Sequence, residues 1–129
     1  MSGKRLLDTS VVVAFLVGDP EVQERLAAIA EPLIPLVVLA ELYYGAEHSG
    51  LPGQTVAAIE VFGQSCVLLG IDVETARLYG AIKTELRKKG RPIPENDLWI
   101  AACARQHGLI LVTRDPHFGQ VDGLETEPC

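Results

Sequence analysis

Short unbroken apolar runs alternate along this chain with stretches of helical period, and that alternation predicts its elements. Leu6-Leu7 reads as the end of a buried strand closed by Asp8, followed by a helical run from about Ser10 to Val17 and a Gly18-Asp19-Pro20 break. Glu21 to Ala30 is amphipathic, with Val22, Leu26 and Ile29 on one face, and Leu33-Ile34 is a brief strand. From Leu36 to about Ala46 the pattern is helical, with Glu41 almost its only polar position. Gly50-Leu51-Pro52-Gly53 reads as a loop, Thr55 to Gln64 as a helix and Cys66 to Leu69 as a strand.

Asp72 to Lys89 predicts a long helix whose apolar stripe is Val73, Ala76, Leu78, Tyr79, Ile82 and Leu86, stopped by Gly90. Two prolines keep Arg91 to Pro94 out of helix, and Asp97 to Gln106 is helical again, with Asn96 free to cap it and Glu95 facing solvent. His107-Gly108 ends that helix, Leu109 to Val112 is the clearest buried strand, and a last short strand falls near Leu124. Short apolar strands alternating with helices imply βαβ units and a mainly parallel sheet, an α/β fold. No linker or repeat divides residues 1–129, so one domain is expected.

Composition fits this picture. The chain is 48% hydrophobic but only 5% aromatic, so its core must be built from Val, Leu, Ile and Ala, as suits a covered parallel sheet. Cys66, Cys103 and Cys129 are odd in number and lack C-x-x-C spacing, which favours a reduced, cytoplasmic setting. The opening MSGKRLLDTSVVVAFLVG is interrupted by Asp8 and carries no cleavage pattern, so it reads as mature sequence without a membrane span. A net charge of -6 excludes a protein that coats nucleic acid with its whole surface. Local basicity is another matter: Lys83, Arg87, Lys88, Lys89 and Arg91 place five of the eleven basic residues within nine positions.

The candidate chemistry is acidic. A helix joining two parallel strands starts at the carboxyl edge of the sheet, where open α/β sheets bind ligands. Asp8 ends the first strand, Glu41 lies early in the helix after the second, Asp97 opens the helix before the Leu109 strand and Asp115 follows that strand. All four carboxylates thus belong to one edge. Taken singly, Asp97 serves equally as a helix cap, and Asp8 and Asp115 as loop acids. Glu41 is harder to place so, because its neighbours in PLVVLAELYYGA are apolar and a buried acid needs a partner. Clustered carboxylates repel, and a hard divalent cation such as Mg²⁺ or Mn²⁺ relieves that repulsion through oxygen ligands. Metal-assisted phosphodiester hydrolysis is the chemistry that follows most naturally.

Four segments carry a resemblance. LLDTS at Leu6 to Ser10, LAELYYGA at Leu39 to Ala46, PENDLWIAACA at Pro94 to Ala104 and LVTRDPHF at Leu111 to Phe118 together resemble the PIN-domain ribonucleases, specifically the VapC-like toxins of toxin–antitoxin pairs. The resemblance implies a PIN-like three-layer fold, a central sheet flanked by helices, a Mg²⁺ or Mn²⁺ site and endonucleolytic cleavage of RNA. Asp8, Glu41 and Asp97 fall on the family's regular acids, and Asp115 on a fourth where many relatives carry asparagine or a displaced acid. In the mechanism so implied, Asp8 and Asp97 hold the metal, with Asp115 directly or through water. Glu41 orients a water or completes a second-ion site. Thr9, Ser10 and Thr113 would hydrogen-bond those carboxylates or the metal's waters. A homodimer and a small antitoxin partner with an arginine-rich tail are likewise implied.

Lys83, Arg87, Lys88, Arg91 and Arg114 are candidates to guide RNA phosphates, against the plainer role of a solvated helix end. His48, His107 and His117 lack zinc-ligand spacing, and Tyr43 and Tyr44 read as core or interface residues. Two rival functions share the sequence features: a Mg²⁺-dependent receiver-like phosphotransfer domain, and a PIN-fold binding module without activity. The absence of a phosphate-binding lysine near the last strands counts against the first, and the four intact acids against the second.

Overall fold

The computed structural model describes residues 4–129. Five strands, β1 (Arg5–Leu7), β2 (Leu33–Pro35), β3 (Val67–Leu69), β4 (Ile110–Thr113) and β5 (Thr126–Pro128), form one parallel sheet in the order β3-β2-β1-β4-β5. Chain order reverses between β1 and β4, so the crevice outside their carboxyl ends is the topological switch point where such sheets bind ligands. Leu7 pairs with Val112 there, which sets Asp8 beside Thr113. Burial follows position: β4 is buried throughout, whereas Val67 and Leu68 on the β3 edge are exposed.

Six helices flank the sheet: α1 (Thr9–Leu16), α2 (Pro20–Ala27), α3 (Leu36–Glu47), α4 (Pro52–Gln64), α5 (Val73–Lys89) and α6 (Glu95–His107). Their apolar faces join Leu6, Leu7, Ile34, Leu111 and Val112 in one core in which Ile59, Ile82, Ile100 and Phe118 are also fully buried. Each such side chain contributes about 1.5–3 kcal/mol by leaving water. No helix among the described residues is long and apolar enough to cross a membrane.

Several local expectations change. Proline at the first helical position is compatible with helix, and Pro52 starts α4 inside the segment read as a loop. The second helix stops at Ala27 in a turn that leaves Ile29 outside it. The buried face of α5 is rotated from the predicted stripe: Val73 and Ala76 are exposed, and Thr75 is buried in their place. That threonine completes a capping box with Asp72, and its hydroxyl also donates to Gln106 of α6, tying the two helices together. Asn96 does not cap α6. Pro94 occupies the cap position without a side-chain bond, which puts Asn96 and Asp97 inside the first turn. The last strand lies at Thr126–Pro128 rather than near Leu124, on the outer side of β4.

Candidate metal centre at the carboxyl edge of the sheet

Asp8 is where strand becomes helix. Its N–H donates to Val112 O, its carbonyl accepts from Val11 and Val12, and its side chain caps α1 by accepting the Thr9 N–H at 2.6 Å. Oδ2 accepts hydroxyl hydrogen bonds from Ser10 at 2.9 Å and Thr113 at 2.6 Å. The residue is only 1% exposed, and burial pushes its pKa above the ordinary 3.8 despite these donors, with Asp115 adding repulsion. Three bonds leave the carboxylate with unused acceptor capacity on Oδ1.

The other acids gather round it through short links. Thr9 Oγ1 donates to Glu41 Oε1 at 2.6 Å, so consecutive residues of α1 hold two of the four acids. Thr113 Oγ1 accepts the Asp115 N–H at 3.0 Å while donating to Asp8, fixing the loop after β4 against the end of β1. Asp97 projects from the first turn of α6 with a side chain 14% exposed. Burial raises its pKa, the His117 pair opposes the rise, and the charges of Asp8 and Glu41 add to it. These couplings place Asp8, Glu41, Asp97 and Asp115 in one electrostatic unit, and Thr9, Ser10 and Thr113 hydrogen-bond its members.

One residue enters that was set aside in the sequence. His117 Nε2 lies 2.6 Å from Asp97 Oδ2, and single ligand atoms of Asp97, Asp115 and His117 all lie within 4.8 Å of one another. Pro116 opens a 3-10 turn over Pro116–Gln120, which brings His117 back over the site while fully buried Phe118 anchors the turn. Glu41 differs from its expectation as well: it is half-buried and hydroxyl-bonded, not enclosed by apolar neighbours. Tyr44 is 70% exposed and Tyr43 is also exposed, so neither belongs to the core.

The basic candidates divide. Arg114 is bound to Asp19 at 2.9 Å and to the Cys129 carbonyl at 3.2 Å. Lys83 pairs with Glu95 and Lys89 with Asp122, whereas Arg87, Lys88 and Arg91 have no side-chain ion pair among the described residues. These cations cluster at the end of α5 and the connector beyond it, before the turn that presents Asp97.

The donor set fits a hard divalent cation. Its atoms are predominantly carboxylate oxygens, burial raises the pKa values of two of the four acids, and hydroxyls orient the carboxylates of Asp8 and Glu41.

Residues 5–124 match the PIN domain family. The chain is 40% identical over 127 residues to Ribonuclease VapC2 of Haemophilus influenzae, covering 96% of both chains. It is 39% identical over 127 residues, again 96% of both, to the tRNA(fMet)-specific endonuclease VapC of Shigella flexneri. The crystal structure of DNA-bound VapBC from Salmonella typhimurium contains a chain that superposes with a TM-score of 0.92 at 33% identity, covering 99% of this chain and 98% of that one. With its site on the edge that the switch point selects and these relatives along nearly its whole length, the chain belongs to the PIN-domain family and to its VapC-like branch.

Proposed function

We propose that this protein is a Mg²⁺- or Mn²⁺-dependent endoribonuclease acting as the toxin of a toxin–antitoxin pair. The observation that carries the reading is the convergence of Asp8, Glu41, Asp97 and Asp115 on one hydroxyl-braced edge, with Asp8 buried and its pKa raised. Asp8, Asp97 and Asp115 would hold the cation. When bound, it supplies Lewis acidity, polarising the scissile phosphate and making water a nucleophile near neutral pH. Glu41 orients the attacking water: Thr9 fixes its Oε1, which leaves Oε2 to receive a proton. Thr113 and Ser10 keep Asp8 aimed, and His117 keeps Asp97 aimed. Arg87, Lys88 and Arg91, with Lys83 beside them, attract RNA phosphates that the acidic edge itself repels.

The partner is a small antitoxin, as the VapBC relatives support, and we read the toxin itself as a homodimer. Val13, 46% exposed on α1, and Val17, 78% exposed at its C-cap, offer apolar surface on which such a partner can pack. An arginine of the partner would pair bidentately with one of the four carboxylates. The three free cysteines suit reducing cytoplasm.

Induced expression of the wild type and of Asp97→Asn, followed by sequencing of RNA ends, tests this function. New ends and growth arrest are expected only with the wild type. Initiator tRNA is the first substrate to inspect, given the specificity named for the Shigella relative. Equal cleavage by Asp97→Asn would remove the acidic edge from the mechanism.

A further inference from the structure

A cavity of about 480 Å³ lies between the last turns of α5, the connector after it and the first turn of α6. That volume is in the range of small-molecule sites, about 300–1,000 Å³. Its floor is apolar, formed by buried Leu86 and Leu98 with half-buried Ile93. Its rim carries Lys83, Arg87 and Glu95.

The rim groups are not equivalent. Lys83 Nζ lies 2.8 Å from Glu95 Oε1, and the Tyr79 hydroxyl donates to the same carboxylate. Tyr79 in turn stacks on Trp99, with ring centroids 4.1 Å apart and planes inclined by 18°. Helix packing therefore fixes Glu95 at the rim and leaves its second oxygen only a longer, 3.3 Å contact to Lys83. Arg87 has no side-chain partner among the described residues, nor do its neighbours Lys88 and Arg91. In a chain of net charge -6, one unpaired cation on the cavity rim and two more close to it in sequence are a local field suited to a polyanion.

Placement connects the cavity to the acidic edge. One turn of α6 serves both: Glu95 and Leu98 line the cavity, while Asp97, one residue and about 3.8 Å of backbone from Leu98, belongs to the acidic cluster. An RNA strand laid past the acidic edge along this turn of α6 would bring an adjoining nucleotide to the cavity mouth.

We propose that this cavity is a nucleotide subsite that seats one residue of the RNA beside the scissile linkage. The proposal rests on the ribonuclease reading given above. The base lies on the Leu86, Ile93 and Leu98 floor, its phosphate meets Arg87, and Glu95 accepts from an exocyclic amino group, as acidic side chains do from cytosine N4. Uracil has no such group, so the subsite discriminates against uridine.

The test uses the full chain with Arg87→Glu, Glu95→Gln and, as a control for charge alone, Arg77→Glu on the exposed face of α5. Cleavage of a randomised RNA library is sequenced, and KM and kcat are measured on one fluorescent oligoribonucleotide. Arg87→Glu is expected to raise KM at least tenfold with kcat within threefold, and Arg77→Glu to leave KM within twofold. Glu95→Gln is expected to abolish the bias against uridine at one position beside the cut and to leave preferences elsewhere unchanged. Binding of the same oligonucleotide to Asp97→Asn protein, with and without Arg87→Glu, reads the subsite even if no cleavage occurs; at least tenfold weakening is expected. KM and binding unchanged by Arg87→Glu, equal effects of Arg77→Glu, or a uridine bias that survives Glu95→Gln would each overturn the subsite. So would a change in sedimentation with KM unchanged, which would assign the cavity to a second copy of the chain.

Discussion

Replacing Thr113 by valine keeps the shape of the side chain and removes one hydroxyl. That hydroxyl is buried, donates to Asp8 Oδ2 at 2.6 Å and accepts the Asp115 N–H at 3.0 Å. A hydrogen bond to a charged group is worth about 1.5–3 kcal/mol. That bond is made with or without a cation, so its energy falls on the folded protein, and the metal affinity loses only the aim of the carboxylate, about 10- to 100-fold weaker Mn²⁺ binding. The sign with pH is fixed too. Asp8 has a folded pKa above 3.8, and Thr113 is the largest influence holding it down. Raised pKa values mean stability that is present below 3.8 and lost as pH rises through the folded pKa, and Thr113→Val enlarges that loss. The variant is therefore destabilised more at pH 7 than at pH 4. Calorimetric Mn²⁺ titration at pH 7, with thermal melts of the cation-free protein at both pH values, measures the two effects. Mn²⁺ affinity within twofold of the wild type would refute the claim that this hydroxyl prepares Asp8 for a cation.

Three further outcomes follow from the same geometry. Because protons would compete with a bound cation for Asp8 and Asp97, whose pKa values are both raised, saturating Mg²⁺ should raise Tm more at pH 7.5 than at pH 5; an equal rise at both would contradict carboxylate ligation. His117→Ala frees Asp97 Oδ2 and should weaken Mn²⁺ binding about 10- to 100-fold, the usual cost of losing a group that orients a ligand, with His117→Gln restoring part of it; calorimetry that finds no change would leave His117 without a role at the centre. Thr75→Val removes the capping box and the link to Gln106 and should cost about 1–2 kcal/mol in urea unfolding while Mn²⁺ affinity holds; unchanged stability would show that the cap is dispensable.

The four acids were legible because each is tied to a local signal: the end of an apolar run, the start of a helix, or a turn after a strand. Parallel topology then put them on one edge without any distance being known. His117 was not legible, since its contact spans twenty residues and depends on the 3-10 turn that Pro116 begins. For Glu41 the sequence offers only part of the reason: apolar neighbours in sequence do not enclose a helical residue whose own face is open, and Thr9 is what holds it. Asn96 does not cap because a proline that ends a connector can itself occupy the cap position, which moves the helix start two residues earlier. The turn of the α5 stripe from Val73 toward Thr75 reflects a buried hydroxyl satisfied by Gln106, a tertiary bond that no periodicity reports.

The most direct test of the central claim is RNA cleavage by the purified chain, with the termini of the products analysed, in Mn²⁺ and after chelation by EDTA. Water activated at the acidic edge predicts cleavage in Mn²⁺, none in EDTA, none from Asp8→Asn in either, and no 2′,3′-cyclic phosphate on any fragment. Cleavage that persists in EDTA, or fragments ending in cyclic phosphate, would contradict it by showing attack from the ribose rather than from water held by these carboxylates.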